Sequence, residues 1–176
     1  MLFRSEINEV IHEVLILLHP EINRHQVSLQ TQLVSDLPTV FGDRIQLQQV
    51  ILNLILNAIQ AMSSVAEGPR RLEVISETLY RRSGSNLGEN QDHGMGSISS
   101  TMVLVTVRDS GPGLDPQSID RLFDAFYTTR PQGLGMGLAI SRSIIEAHAG
   151  RLWAKPNAPL GAVFQFTVPA RFESRP

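Results

Sequence analysis

The chain has 176 residues, 42% of them hydrophobic, so it is of single-domain size and can bury a real core. Lys plus Arg number 15 against 17 Asp plus Glu, a net charge of -2, which leaves no electrostatic case for a nucleic-acid or membrane-surface binder. The absence of Cys excludes disulfides, thiolate metal sites and cysteine nucleophiles, and suits a reducing cytoplasm.

From Glu6 to Leu18 the residues Ile7, Val10, Ile11, Val14, Leu15, Leu17 and Leu18 follow helical spacing, and His19-Pro20 is expected to end the helix. Val27, Leu29, Thr31 and Leu33 alternate with polar residues, which predicts a half-buried strand, and Thr39 to Phe41 adds a short extended piece. Gly42 turns the chain. Asp43 is then placed to cap a helix, with Gln46 three residues on completing a capping box.

That helix, Asp43 to Met62, is apolar around most of its girth, and the run most suited to spanning a bilayer is broken there by two Asn. Gln46, Gln49, Asn53, Asn57 and Gln60 fall at steps of three and four, forming one polar stripe. Buried amides cost free energy unless partnered, so the stripe faces either a private hydrogen-bond network or a polar ligand. Amide oxygens suit a cation such as Mg2+ whose charge is balanced by phosphates.

Arg71 to Leu79 reads as a second strand, Arg81 to Ser100 as a flexible, Gly- and Ser-rich hairpin insertion, and Met102 to Val107 as a β-prone strand running into Asp109-Ser-Gly-Pro-Gly113. That motif is either a plain turn or a carboxylate at a pocket floor, where glycines let a flat base approach. An acid there would accept a hydrogen bond from the exocyclic amine of adenine, which guanine lacks at that position. Asp115-Pro116 opens a short helix through Phe123, followed by an extended Phe126 to Pro131 loop. Gly133-Leu-Gly-Met-Gly137 feeds a helix from Leu138 to His148, expected to end with Gly150 as its left-handed cap. Glycines before a helix N-terminus admit phosphates to unpaired amides, or merely form a flexible loop. Strands Arg151 to Lys155 and Ala162 to Val168 close the chain, with a turn between them. The order predicts an α+β fold: a two-layer sandwich with one mixed, mostly antiparallel sheet and helices on one face.

Together these stretches resemble the ATP-binding catalytic domain of sensor histidine kinases, in the Bergerat-fold superfamily shared with DNA gyrase, mismatch-repair ATPases and a heat-shock chaperone. Asn53-Leu-Ile-Leu-Asn57-Ala is similar to its asparagine box and Asp109-Ser-Gly-Pro-Gly-Leu to its first glycine box. Leu122-Phe-Asp-Ala-Phe-Tyr-Thr-Thr resembles its phenylalanine box and Gly133-Leu-Gly-Met-Gly-Leu138 its second glycine box. The resemblance covers about 6 to 170 of residues 1–176, read as one catalytic domain, and looks closest to the oxygen-sensing and nitrogen-regulatory branch, whose lid is short.

The resemblance implies ATP and Mg2+ as cofactors. Asn57 would hold the metal with Asn53 beside it, Gln60 would lie near the phosphates, and Asp109 would read adenine. Gly111 and Gly113 would shape the base pocket. Gly133, Gly135, Gly137 and Leu138 would receive the phosphates and hinge a lid at Thr128 to Gln132, in which Thr129 and Arg130 would meet ATP. Arg130 stands where the family usually has Lys, and Ala162 where relatives often have a Thr that reaches the base through water.

Hydrolytic members of the superfamily carry a Glu one turn before the metal Asn; here that residue is Asn53. The resemblance therefore implies a protein-histidine kinase of two-component signal transduction, with γ-phosphate passing to a histidine on a separate dimerisation and phosphoacceptor domain, then to a response regulator receiver domain. It implies no nucleic-acid or membrane contact by this domain, and a cytoplasmic setting. His12, His19, His25 and His148 lack an acceptor context, so the phosphoacceptor and sensor domains are expected to lie outside this chain. A Bergerat ATPase, an anti-sigma-type serine kinase and a non-catalytic nucleotide-binding module are the alternatives.

Overall fold

The computed structural model describes residues 3–65, 68–82, 98–128 and 135–172. The elements are β1 (Phe3–Ser5), α1 (Ile7–Arg24), β2 (Ser28–Leu33), β3 (Thr39–Gly42), α2 (Arg44–Ser63), β4 (Arg71–Arg82), β5 (Ile98–Asp109), a 3-10 helix (Ile119–Phe123), α3 (Gly137–Ala147), β6 (Arg151–Pro156) and β7 (Ala162–Arg171). The sheet runs β1-β3-β7-β5-β4-β2, with β6 also paired to β7. Only β2 and β4 run parallel among these pairs; the others are antiparallel. This is the predicted α+β sandwich, with α1, α2 and α3 packed on one face.

The core lies between α2 and that face. Leu47, Val50, Ile51, Leu54, Ile55, Ala58, Ile59 and Met62 of α2 are buried against Val103, Val105, Val107, Phe164, Phe166 and Val168. Each large aliphatic side chain so buried stabilises the fold by about 1.5–3 kcal/mol. The length and hydropathy of α2 would also serve a membrane span. Here they serve the core.

Several boundaries differ from expectation. α1 continues through Pro20 to Arg24, because Leu18 and Ile22 remain core contacts on either side of the proline. The carbonyl that loses its donor belongs to Ile16, which is 76% exposed, so water can satisfy it. β1 carries no recognisable pattern in its three residues; it pairs with β3. β4 extends to Arg82 and β5 begins at Ile98, so the ends of the predicted 81–100 insertion belong to the ladder. Residues 83–97 lie outside the described residues. The helix predicted from Asp115 is a turn followed by the 3-10 helix.

Asp43 caps α2 as predicted, its Oδ1 accepting the N–H groups of Ile45 and Gln46. The capping box is not reciprocal, however. The Asp43 N–H donates to His148 Nε2 at 2.9 Å. The left-handed residue after α3 is Ala149, with φ 55°, and not Gly150. Gly150 N–H bonds Ile145 O and Ala149 N–H bonds Glu146 O, both at 2.9 Å, the pattern of a Schellman motif. Gly150 is needed for space, since a Cβ there would stand 1.9 Å from Thr167 O.

Candidate functional site

A strand with period two that buries Val103, Val105 and Val107 sends Asp109 to the same face. Its side chain is only 3% exposed, and Oδ1 accepts from Gly111 N–H at 2.8 Å and Ala162 N–H at 3.2 Å. Two backbone donors on one oxygen fix the carboxylate's orientation. A Cβ at Gly111 would lie 2.9 Å from that oxygen, and Gly113, at φ 92°, faces Gly161 across the loop.

This glycine loop rests on the last turn of α2, where Ala61 would be 3.3 Å from a Gly111 Cβ. Two turns earlier, α3 begins against the same helix. A Cβ on Gly137 would stand 2.6 Å from Asn53 Oδ1, and Asn53 Nδ2 donates to Ser141 Oγ at 2.9 Å. Asn53, Asn57 and Ala61 are four residues apart on one face, so Asn57 lies in the gap between the start of α3 and the Asp109 loop. At 1.5 Å per residue the gap runs about 12 Å along α2. It joins a buried carboxylate at one end to a helix N-terminus at the other.

The amide stripe is less buried than its pattern suggests. Asn53 and Asn57 are half-buried, whereas Gln46, Gln49 and Gln60 are exposed. The private-network reading is met in part, since Asn53 is tied to Ser141. Leu138 is half-buried against the core. Met136, the residue before α3, makes no side-chain cap to the helix's first amides.

Gly135 has φ 65°, and its carbonyl accepts the Phe126 N–H at 2.9 Å; a Cβ there would meet the Phe126 carbonyl carbon at 2.6 Å. Phe126 is itself left-handed, at φ 67°, rather than extended as expected, and is 75% exposed. The phenylalanine-box and second glycine-box segments are thus stitched together. Thr129, Arg130 and Gly133 lie outside the described residues.

Residues 42–171 match the family described as histidine kinase-, DNA gyrase B- and HSP90-like ATPase. The chain belongs to this family. Within it, the chain is homologous to sensor histidine kinases: it is 40% identical over 148 residues to the sensor protein FixL of Bradyrhizobium diazoefficiens, covering 84% of this chain and 25% of FixL. This ATPase-family chain therefore spans about a quarter of that relative. The nucleotide-free catalytic domain of the histidine kinase ThkA superposes with a TM-score of 0.75 at 29% identity, covering 97% of this chain and 96% of that one. ThkA solved in complex with the response regulator TrrA gives a TM-score of 0.72 at 27% identity, covering 99% and 43% respectively.

Three residues of the site escaped the sequence reading. Ser141 stands four residues after Gly137, a small-small pair that permits close helix approach and could have been noticed. His148 lies in an apolar helix end and carried no signal for its bond to Asp43. Asn157, in the turn before β7, donates from Nδ2 to the Asp109 carbonyl at 3.0 Å. Of the other histidines, His12 is exposed on α1, while His25 Nδ1 and Ser63 Oγ are 2.8 Å apart.

Proposed function

We propose that this chain binds Mg-ATP and delivers its γ-phosphate to a histidine on a separate dimerisation and phosphoacceptor domain, as one catalytic domain of a two-component kinase. Asp109 would receive the adenine amine, with Gly111 and Gly113 flanking the base. The triphosphate would run along the gap past Asn57 towards the start of α3, with Gln60 beside it, and Gly133, Gly135, Gly137 and Leu138 would border the phosphates. Thr129 and Arg130 would close over them, a guanidinium gripping phosphate with two donors.

The donor chemistry fits a magnesium ion: Asn57 offers a neutral amide oxygen in the gap, as a hard cation already charge-balanced by phosphates requires. Asn53 would stand beside it, with its amide nitrogen committed to Ser141. When bound, Mg2+ neutralises charge on the β- and γ-phosphates.

The observation that carries the choice of kinase over hydrolase is at Asn53. An amide bonded to Ser141 occupies the position one turn before Asn57, and an amide is no general base for water. The γ-phosphoryl is thereby kept for an imidazole. The relatives' multidomain make-up and the pairing of ThkA with TrrA support a separate acceptor and a response regulator downstream.

The test is γ-labelled ATP with Mg2+, first with this chain alone and then with a purified acceptor domain. Binding without sustained phosphate release, followed by labelling of a histidine on the acceptor, is the expected result. Sustained release without acceptor would make the chain an ATPase, and binding without transfer to any acceptor would leave a nucleotide-binding module.

A further inference from the structure

We infer that Asn157 is a positioning residue for Asp109 and thereby for selection of the nucleotide base; the inference rests on the reading of Asp109 as the adenine acceptor. The β5–β7 ladder ends at the pair Arg108 and Val163. Beyond it no further β5–β7 pair follows, and the turn before β7 brings a side chain to the Asp109 carbonyl. That side chain is Asn157, its Nδ2 donating to Asp109 O at 3.0 Å. The side chain is half-buried, and its own N–H donates to Gly161 O at 2.9 Å, which closes the turn around it.

The turn lies directly on Asp109. Gly161 has φ 109°, and a Cβ there would sit 1.9 Å from the Asp109 carbonyl oxygen. The next residue, Ala162, sends its N–H to Asp109 Oδ1 at 3.2 Å. The backbone and the carboxylate of Asp109 are therefore gripped from the turn and from the first residue of β7, by a side chain and by a main-chain amide. Ala162 makes this contact with its main-chain amide, which does not depend on the side chain. Without Asn157 the Asp109 peptide gains freedom to tilt, and with it the direction in which the carboxylate meets the base. A phosphate-end contact would not sense the change.

The experiment compares ATP with inosine triphosphate, whose base carries a carbonyl where adenine has its amine. Affinities are measured by calorimetry for the whole chain and for Asn157→Ala and Asn157→Asp. The aspartate keeps shape and removes the donor, and the turn is at the surface, so both variants retain the fold by circular dichroism. The native chain binds ATP more tightly. In both variants ATP affinity falls about three- to tenfold, the weight of one neutral hydrogen bond, while inosine triphosphate affinity is unchanged. In an Asp109→Asn background the Asn157 substitutions have no further effect.

Equal loss for both nucleotides would show a merely structural turn residue and overturn the inference. Discrimination left at the native level in the variants would overturn it too, while leaving the Asp109 reading intact. A native chain that binds both nucleotides alike would remove the Asp109 reading itself, and the inference with it.

Discussion

His148 Nε2 accepts the backbone N–H of Asp43 at 2.9 Å, tying the C-cap of α3 to the N-cap of α2 across 105 residues of sequence. The other ring nitrogen, Nδ1, lies 2.7 Å from the Ile144 carbonyl, so both bonds are satisfied by the neutral ring protonated at Nδ1. The ring also explains Gly42, where a Cβ would fall 2.7 Å from His148 Cδ2. With Ser141 on Asn53, α3 is fastened to α2 at two points.

His148→Ala leaves the half-buried Asp43 N–H without its acceptor and opens a cavity, and should cost about 1–3 kcal/mol in urea unfolding. His148→Gln, which restores an acceptor, should recover part of the loss. A change below about 0.5 kcal/mol in the alanine variant, the range of neutral surface substitutions, would deny the latch any weight.

Ser141 is 1% exposed and its hydroxyl is matched to the Asn53 amide. Ser141→Ala should cost about 1–2 kcal/mol by leaving that amide nitrogen unpaired. A double-mutant cycle with Asn53→Ala should return a coupling energy of about 1 kcal/mol. Additive losses would mean that the two residues contribute separately.

Asn57→Ala should leave the unfolding midpoint almost unchanged, because the side chain is only half-buried, yet abolish the Mg2+ dependence of ATP binding. Calorimetric titrations with and without Mg2+ check this. An unaltered Mg2+ dependence would take the metal away from Asn57.

Much of this was legible in the chain because the signals were local. The Asp43 cap, the 3.6-residue period of α2 and the alternation that turns Asp109 inward each need only a few neighbouring residues. What stayed hidden depends on partners far away in sequence. Pro20 reads as a stop until Leu18 and Ile22 are seen in the core. The pattern at 46, 49, 53, 57 and 60 suggests five equivalent amides, but only Asn53 and Asn57 are half-buried, while Gln46, Gln49 and Gln60 stay exposed. Gly150 reads as a left-handed cap because glycine usually serves that role; its real constraint is the carbonyl of Thr167.

Asp115 sits in a turn where Ser118 Oγ and the Gln117 N–H both donate to its carboxylate. The Ser118 bond first, and the Gln117 bond second, hold its carboxyl below the usual aspartate range. Both bonds favour the ionised form, so their contribution is present above the unfolded pKa and is lost as pH falls through the lowered folded value. Ser118→Ala should raise the Asp115 pKa, as read by carboxyl-carbon NMR titration. The stability difference between native and variant, present at neutral pH, should shrink on the acid side of the folded pKa. An unmoved titration would show that the Ser118 bond is not held in solution.

The end of α3 gives an opposed pair of substitutions. Ala149 adopts φ 55°, a conformation that costs an L-residue with a Cβ about 1–2 kcal/mol and glycine almost nothing. Ala149→Gly should therefore raise stability by up to about 1 kcal/mol, less the added entropy of the unfolded chain. Gly150→Ala should do the reverse, since its Cβ would stand 1.9 Å from the backbone oxygen of Thr167 and 2.9 Å from Ile145 Cγ2. Backbone cannot yield as a side-chain tip can, so β7 or the α3 terminus must shift, at a cost of about 3 kcal/mol or more. Thermal unfolding of the two variants decides the matter. If glycine at 150 mattered for its dihedral freedom and not for space, Gly150→Ala would cost only about 1 kcal/mol, and Ala149→Gly would bring no gain.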